Sequence, residues 1–222
     1  MIRTLAALLC ATGPAAAQDA ATWLATETSL EVTVTEAGQW HPVGGQIHAT
    51  DPLTLFQTGP DVPTLAVPDA PAQVLGLHYE HDFGDDVTER RTAVIVLIWS
   101  DAPVACGADL TSVAVDTGLA SFLTPAQVEA LAQYEDRYGP SYVAAVPGPF
   151  EQQIEAQYPG PFLTDLPGDL SFPVTGSGWG DGAYPVVSLH DADGAMVALY
   201  AQFITADGED WLLPPPCPQA AP

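Results

Sequence analysis

Thr92-Ala93-Val94-Ile95-Val96-Leu97-Ile98-Trp99 is apolar at every position after the first. A run of this length and continuity describes a strand covered on both faces, because a strand with one face in water alternates instead. Alternating runs lie on either side of it. Ser29 to Thr35 alternates at period two, and a short turn then leads into Trp40 through Ala49. Gln73 to His81, Thr111 to Val115, Pro185 to His190 and Met196 to Ile204 read as further strands. Asp193-Gly194 between the last two marks a hairpin, with φ > 0 expected at both central positions. Helix signals are fewer. Thr124-Pro125-Ala126-Gln127 is a capping box with proline at the first helical position, and Val128, Leu131 and Tyr134 continue at helical spacing up to Gly139-Pro140. A shorter helix is expected from Phe150 to Tyr158, and segments 51–72 and 140–175 read as Pro/Gly-punctuated connections. The expected fold is mainly β, a sandwich or barrel-like domain with one or two short helices, with α+β as the alternative.

Charge excludes whole classes of partner. The 222 residues carry 28 Asp+Glu against 4 Lys+Arg, a formal charge of -24. The basic residues are Arg3, Arg90, Arg91 and Arg137, so no surface could neutralise a run of phosphates or dock on anionic lipid. An apolar fraction of 47% is too high for a disordered acidic tail.

The first residues give an address. Arg3 precedes the apolar run Leu5 to Ala11, and Ala15-Ala16-Ala17 offers a small-residue cleavage site. This describes a secretory signal peptide over 1–17, cut after Ala17, and hence a periplasmic or secreted protein. Cys10 only loosely imitates a lipid-anchoring box, since Leu9 occupies the position where a small residue is wanted. Loss of Arg3 takes the formal charge from -24 to -25. Loss of Cys10 leaves Cys106 and Cys217, an even pair that reads as one disulfide in an oxidising compartment. The expected organisation is one β-rich domain over 18–213, followed by a Pro-rich tail, 214–222, anchored through Cys217.

The densest local signal is Ser177-Gly178-Trp179-Gly180-Asp181-Gly182-Ala183-Tyr184-Pro185. Alternating glycines admit positive φ and close approach of neighbouring groups. The motif precedes a strand and lacks a βαβ context, so it is no dinucleotide fingerprint. Nor is Gly176-Ser177-Gly178 a nucleophile elbow, because its spacing is wrong.

These blocks resemble the bacterial DUF4241 family, a group of domains of unknown function. Gly45-Gln46-Ile47-His48-Ala49-Thr50-Asp51-Pro52 resembles its opening block, Val67-Pro68 its Val-Pro block and Val115-Asp116-Thr117-Gly118 its Val-Asp-x-Gly block. Ser177 to Val186 resembles its Ser-Gly-x-Gly-Asp-Gly-x-Tyr-Pro-Val signature. The chain departs from the family at Asp69-Ala70-Pro71-Ala72, where a Pro-Gly turn is usual, and at Gln202, where an acidic residue is usual. The resemblance implies architecture rather than activity.

The ligand-binding candidates are Asp51, Ser177, Trp179, Gly180, Asp181, Gly182 and Tyr184. Asp181 either folds back to cap its own loop or serves a ligand with Asp116 or Asp51 nearby. Two close carboxylates would make an acid/base pair, which names Asp181 and Asp116 as catalytic candidates. Trp179 and Tyr184 either stack on a planar-faced ligand or lid the core. In His78-Tyr79-Glu80-His81-Asp82, strand alternation splits the side chains between faces, so a solvated strand end is expected rather than a metal site. His190 to Gly194 and Asp207 to Asp210 read as turns rather than calcium loops. Ser121 and Ser177 lack an evident base. No metal and no cofactor is expected. The reading is a non-enzymatic module binding a neutral or cationic ligand or a protein, with a hydrolase, perhaps glycan-directed, built on Asp181 and Asp116 as the alternative.

Overall fold

The structure, a computed structural model, describes residues 18–55, 63–138, 148–168, 170–206 and 209–218. The proposed signal peptide and Cys10 lie outside the described residues, as do Gly139-Pro140 and Asp207-Gly208.

Two antiparallel sheets make the architecture. The first contains β1 (Val32–Trp40), β4 (Ala72–Asp82), β5 (Thr88–Ile98), β11 (Met196–Gln202), β10 (Gly182–His190) and β6 (Cys106–Val115), in the order β1-β4-β5-β11-β10-β6. The second runs β3-β2-β7-β9-β8, with β2 (Gln46–Thr50), β3 (Thr64–Ala66), β7 (Leu119–Leu123), β8 (Phe162–Leu163) and β9 (Pro173–Gly176). One core joins them, since Val74, Val96 and Leu199 of the first sheet cluster with Ile47, Ala49 and Phe122 of the second. This is a β-sandwich-like arrangement of α+β type.

Helices cover the remaining apolar faces. Helix α1 (Ala20–Glu27) is capped by Asp19, whose side chain accepts from the Thr22 amide, and it buries Leu24 against the β5 region. Helices α2 (Pro125–Tyr138) and α3 (Pro149–Gln157) border a second core containing Leu131 and Phe150 with Leu123, Phe172 and Val174. The capping box closes as its sequence demands: the Thr124 amide donates to Gln127 Oε1 at 2.9 Å, and the Gln127 amide to Thr124 Oγ1 at 3.2 Å. The continuous run in β5 is explained by this layering, because every residue from Ala93 to Ile98 is buried between the neighbouring layers.

Several elements differ from their sequence reading. The turn expected after Thr35 is a β-bulge: Glu36 pairs with Leu75 and Gly38 with Val74, so Ala37 is the extra residue and β1 continues to Trp40. The hairpin at Asp193-Gly194 has positive φ only at Gly194. It is a wider turn, held by Asp191 Oδ1, which accepts from the amides of Asp193 and Ala195 at 2.9 Å each. Segments 51–72 and 140–175 contain strands β3, β8 and β9, which are two to four residues long and too short to show a period. Helix α1, also unread, has too few positions to establish its stripe.

Cys106 and Cys217 form the expected disulfide. It fixes a C-terminal strap along β6, the last strand of its sheet. The Gly107 amide donates to the Pro215 carbonyl at 2.9 Å, and the Cys217 amide donates back to the Gly107 carbonyl at 3.3 Å. Only glycine fits here, since a Cβ on Gly107 would lie 2.2 Å from Pro214 Cγ and 2.4 Å from the Ser188 carbonyl. No helix among the described residues is long and apolar enough to cross a membrane.

Candidate functional site

The three aspartates singled out in the sequence gather at one end of the sandwich, in different roles. Asp51 follows β2 and is fully buried. Its Oδ1 accepts from the Leu53 amide at 2.9 Å, and its Oδ2 from the amides of Asp116 and Thr117 at 3.0 and 2.7 Å. Thr117 Oγ1 donates to the same carboxylate at 2.8 Å. These donors occupy the carboxylate, which staples β2 to the β6–β7 connection. The Ser177 amide then donates to the Gly118 carbonyl at 3.0 Å, laying the glycine loop on that connection. Gly182 pairs with Val115 at the end of the β10–β6 ladder, so Asp181 and Asp116 stand just beyond it on neighbouring strands, both exposed.

The glycine loop is shaped from inside by hydroxyls. Ser177 Oγ and the Tyr184 hydroxyl both donate to the Gly180 carbonyl, at 2.6 and 2.9 Å. Asp181, the expected self-cap, accepts no hydrogen bond among the described residues and points its charge outward. Its charge and, first, burial raise the Tyr184 pKa, against the opposing hydrogen bond with Ser177. Tyr184 is core, edge-on to Phe203 with centroids 5.2 Å apart. Gly178 has φ +65°, and a Cβ there would sit 2.7 Å from both the Thr92 carbonyl and Ile204 Cγ1. Gly178→Ala is therefore expected to cost about 2 kcal/mol or more, combining left-handed strain with a backbone clash. Gly180→Ala, with φ +94° but nothing within 4 Å, should cost less. Urea unfolding of the two variants checks the order, and equal losses would contradict it.

Trp179 projects from this loop and is 46% exposed. Its ring lies over the Arg91 guanidinium, 4.7 Å from Cζ, and edge-on to His81 at 4.8 Å. Arg91 also faces Phe83 at 5.1 Å, donates to the Gly178 carbonyl at 2.8 Å and pairs with Glu89 at 2.9 Å. A cleft of about 270 Å³ opens beside this array, lined by Tyr79, His81, Trp179, Leu30 and Glu31 among others. A half-exposed indole, an imidazole and a phenol next to a carboxylate can take a flat or cationic group by stacking and charge.

Tyr79, His81, Phe83, Arg91 and Glu31 were missed as site residues. Their signal was the alternate spacing of Tyr79, His81 and Phe83, together with the cross-strand pairing of Tyr79 with Arg91. In that stretch Glu80 and Asp82 are solvated as expected, whereas His78 is fully buried on the strand face it shares with Gly76, where Pro161 packs: a Cβ on Gly76 would lie 2.2 Å from Pro161 Cδ and 3.1 Å from His78 Nε2. Ser121 is buried and donates to the Pro173 carbonyl at 2.8 Å. Gln202 is buried and accepts from the Leu212 amide at 2.7 Å through Oε1, clamping the strap. No group of three or more His, Cys, Asp or Glu side chains among the described residues is arranged to hold a metal ion.

Fold and site together define a two-sheet antiparallel β protein with a disulfide-fixed strap and a glycine loop assembled from three distant segments. The model of the DUF4241 family, described as a protein of unknown function, matches residues 96–201. The matched stretch includes both the Val115–Gly118 block and the glycine loop. No curated protein and no solved structure matches the chain.

Proposed function

We infer that the protein is an exported binding module whose ligand, neutral or cationic and bearing a planar or ring-shaped face, sits in the Trp179 cleft. The observation that carries this reading is the half-exposed indole braced by Arg91 and His81 beside Glu31. A large apolar side chain held rigidly in partial exposure is a ready contact surface. The export address rests on the N-terminal pattern of residues 1–17 and is supported by the Cys106–Cys217 bridge. The sign of the ligand follows from a field that repels anions.

Saturation-transfer NMR with benzylammonium and with a neutral disaccharide tests the cleft. At least one probe should bind saturably and lose most of its signal in Trp179→Ala. Failure of both probes, or equal binding by the variant, ends this reading.

The hydrolase alternative is favoured by one observation, the placement of Asp116 and Asp181 at adjacent strand ends on an open surface. Glycan hydrolysis that disappears in Asp181→Asn with the melting temperature unchanged would establish it in place of simple binding.

A further inference from the structure

We propose that the cavity between the C-terminal end of α1 and the strap is a separate binding site for a small organic ammonium ion. It does not depend on the Trp179 cleft holding a ligand. Its volume is about 440 Å³, and its walls include Glu27, Thr28, Gln202, Glu209, Asp210 and Trp211. Three of these are carboxylates, and no basic residue is among the lining residues. Helix α1 ends at this wall without a basic residue in its last turn, so the partial negative charge of its C-terminal carbonyls adds to the carboxylates.

Charge alone would describe only an acidic surface. A second observation concerns Thr28, which lines the cavity, is 3% exposed, and has no hydrogen-bond partner for its Oγ1. A buried hydroxyl without a partner is rare in native proteins and offers an acceptor to an N–H donor. The third wall is aromatic. Trp211 is 39% exposed and stands edge-on to Tyr184, with centroids 6.1 Å apart. The next residue is held on both sides of its peptide, the Leu212 amide by Gln202 and the Leu212 carbonyl by the Tyr200 hydroxyl. An indole braced by Tyr184 and anchored through the next peptide can meet a cation at a reduced cost of ordering. The room and the mixed apolar and acidic lining suit an alkylammonium better than a bare metal ion, which needs several oxygens converging at one point.

Isothermal titration of the protein with n-butylammonium chloride at low ionic strength tests the site, with sodium chloride as the comparison. Saturable one-to-one binding is expected, weakened about tenfold in Trp211→Leu and roughly threefold in Thr28→Val or Glu27→Gln. Trp179→Ala should leave it unchanged, which separates this site from the cleft. Glu27→Gln, on the helix rather than the strap, keeps the test valid if Trp211→Leu loosens the strap. A response that does not saturate, is matched by sodium, or is the same in Glu27→Gln and Thr28→Val would reduce the cavity to diffuse acidic surface and overturn the proposal.

Discussion

Reduction of the Cys106–Cys217 bridge will lower the unfolding free energy by about 4–5 kcal/mol, the largest single effect expected in this molecule. The bond links residues 111 apart in sequence, so it removes a wide range of conformations from the unfolded chain. Native domains are stable by roughly 5–15 kcal/mol in all, so the loss takes about a quarter of the total or more. Chemical denaturation with and without reductant measures it, and Cys217→Ser should reproduce the reduced protein. A difference below about 1 kcal/mol would mean that strain in the folded state cancels the entropic gain. The strap should loosen first, because Gly107 meets it through only two backbone hydrogen bonds.

Acidification from neutrality will cost the fold about 3 kcal/mol through His78 alone. The ring is fully buried and neither nitrogen has a hydrogen-bond partner. Burial, reinforced by the Arg90 charge, lowers its pKa from 6.5 to about 4. A depressed histidine pKa means that the unfolded chain takes up the proton first. The contribution is therefore complete above the ordinary value of 6.5, declines as pH falls through the window down to about 4, and is gone below it. Carboxylates also titrate near the lower end of this window, so the informative quantity is the difference from His78→Leu. That variant removes two unpartnered polar atoms, and it should be at least as stable as the parent at pH 7. Its stability should fall less between pH 7 and 5, and parallel curves for the two proteins would refute the assignment.

Long elements and side-chain chemistry with a fixed spacing were legible before the structure. The continuous run in β5, the capping box at Thr124 and the cysteine pair each carry their meaning within a few residues or by counting. The glycine loop was legible as a special backbone, though not in its mechanism. Gly178 is needed because Ile204 and the Thr92 carbonyl press on it, and those contacts come from strands far away in sequence. Asp51 looked like a ligand residue because an isolated Asp before a Pro carries no sign of what will donate to it. The donors, Asp116 and Thr117, are more than sixty residues distant. His78 was misplaced for a different reason: strand alternation says which face a residue takes but not what covers that face, and Pro161, more than eighty residues away, packs there beside Gly76. The Trp179 cleft needs β4, β5 and the loop after β9 to meet, which no local window contains.

The covered flank of β6 also bears on how copies of this chain meet one another. The six-stranded sheet ends at β1 on one side and at β6 on the other, and the strap pairs with β6 at Gly107, near its start. Strap and bridge together keep a neighbouring strand from adding along the whole length of β6. Opening the bridge frees that end, and a sheet with two unobstructed flanks can grow head to tail. The same bond that stabilises the fold thus also hinders strand addition. Light scattering of the reduced protein should rise with concentration and time, while that of the oxidised protein stays flat.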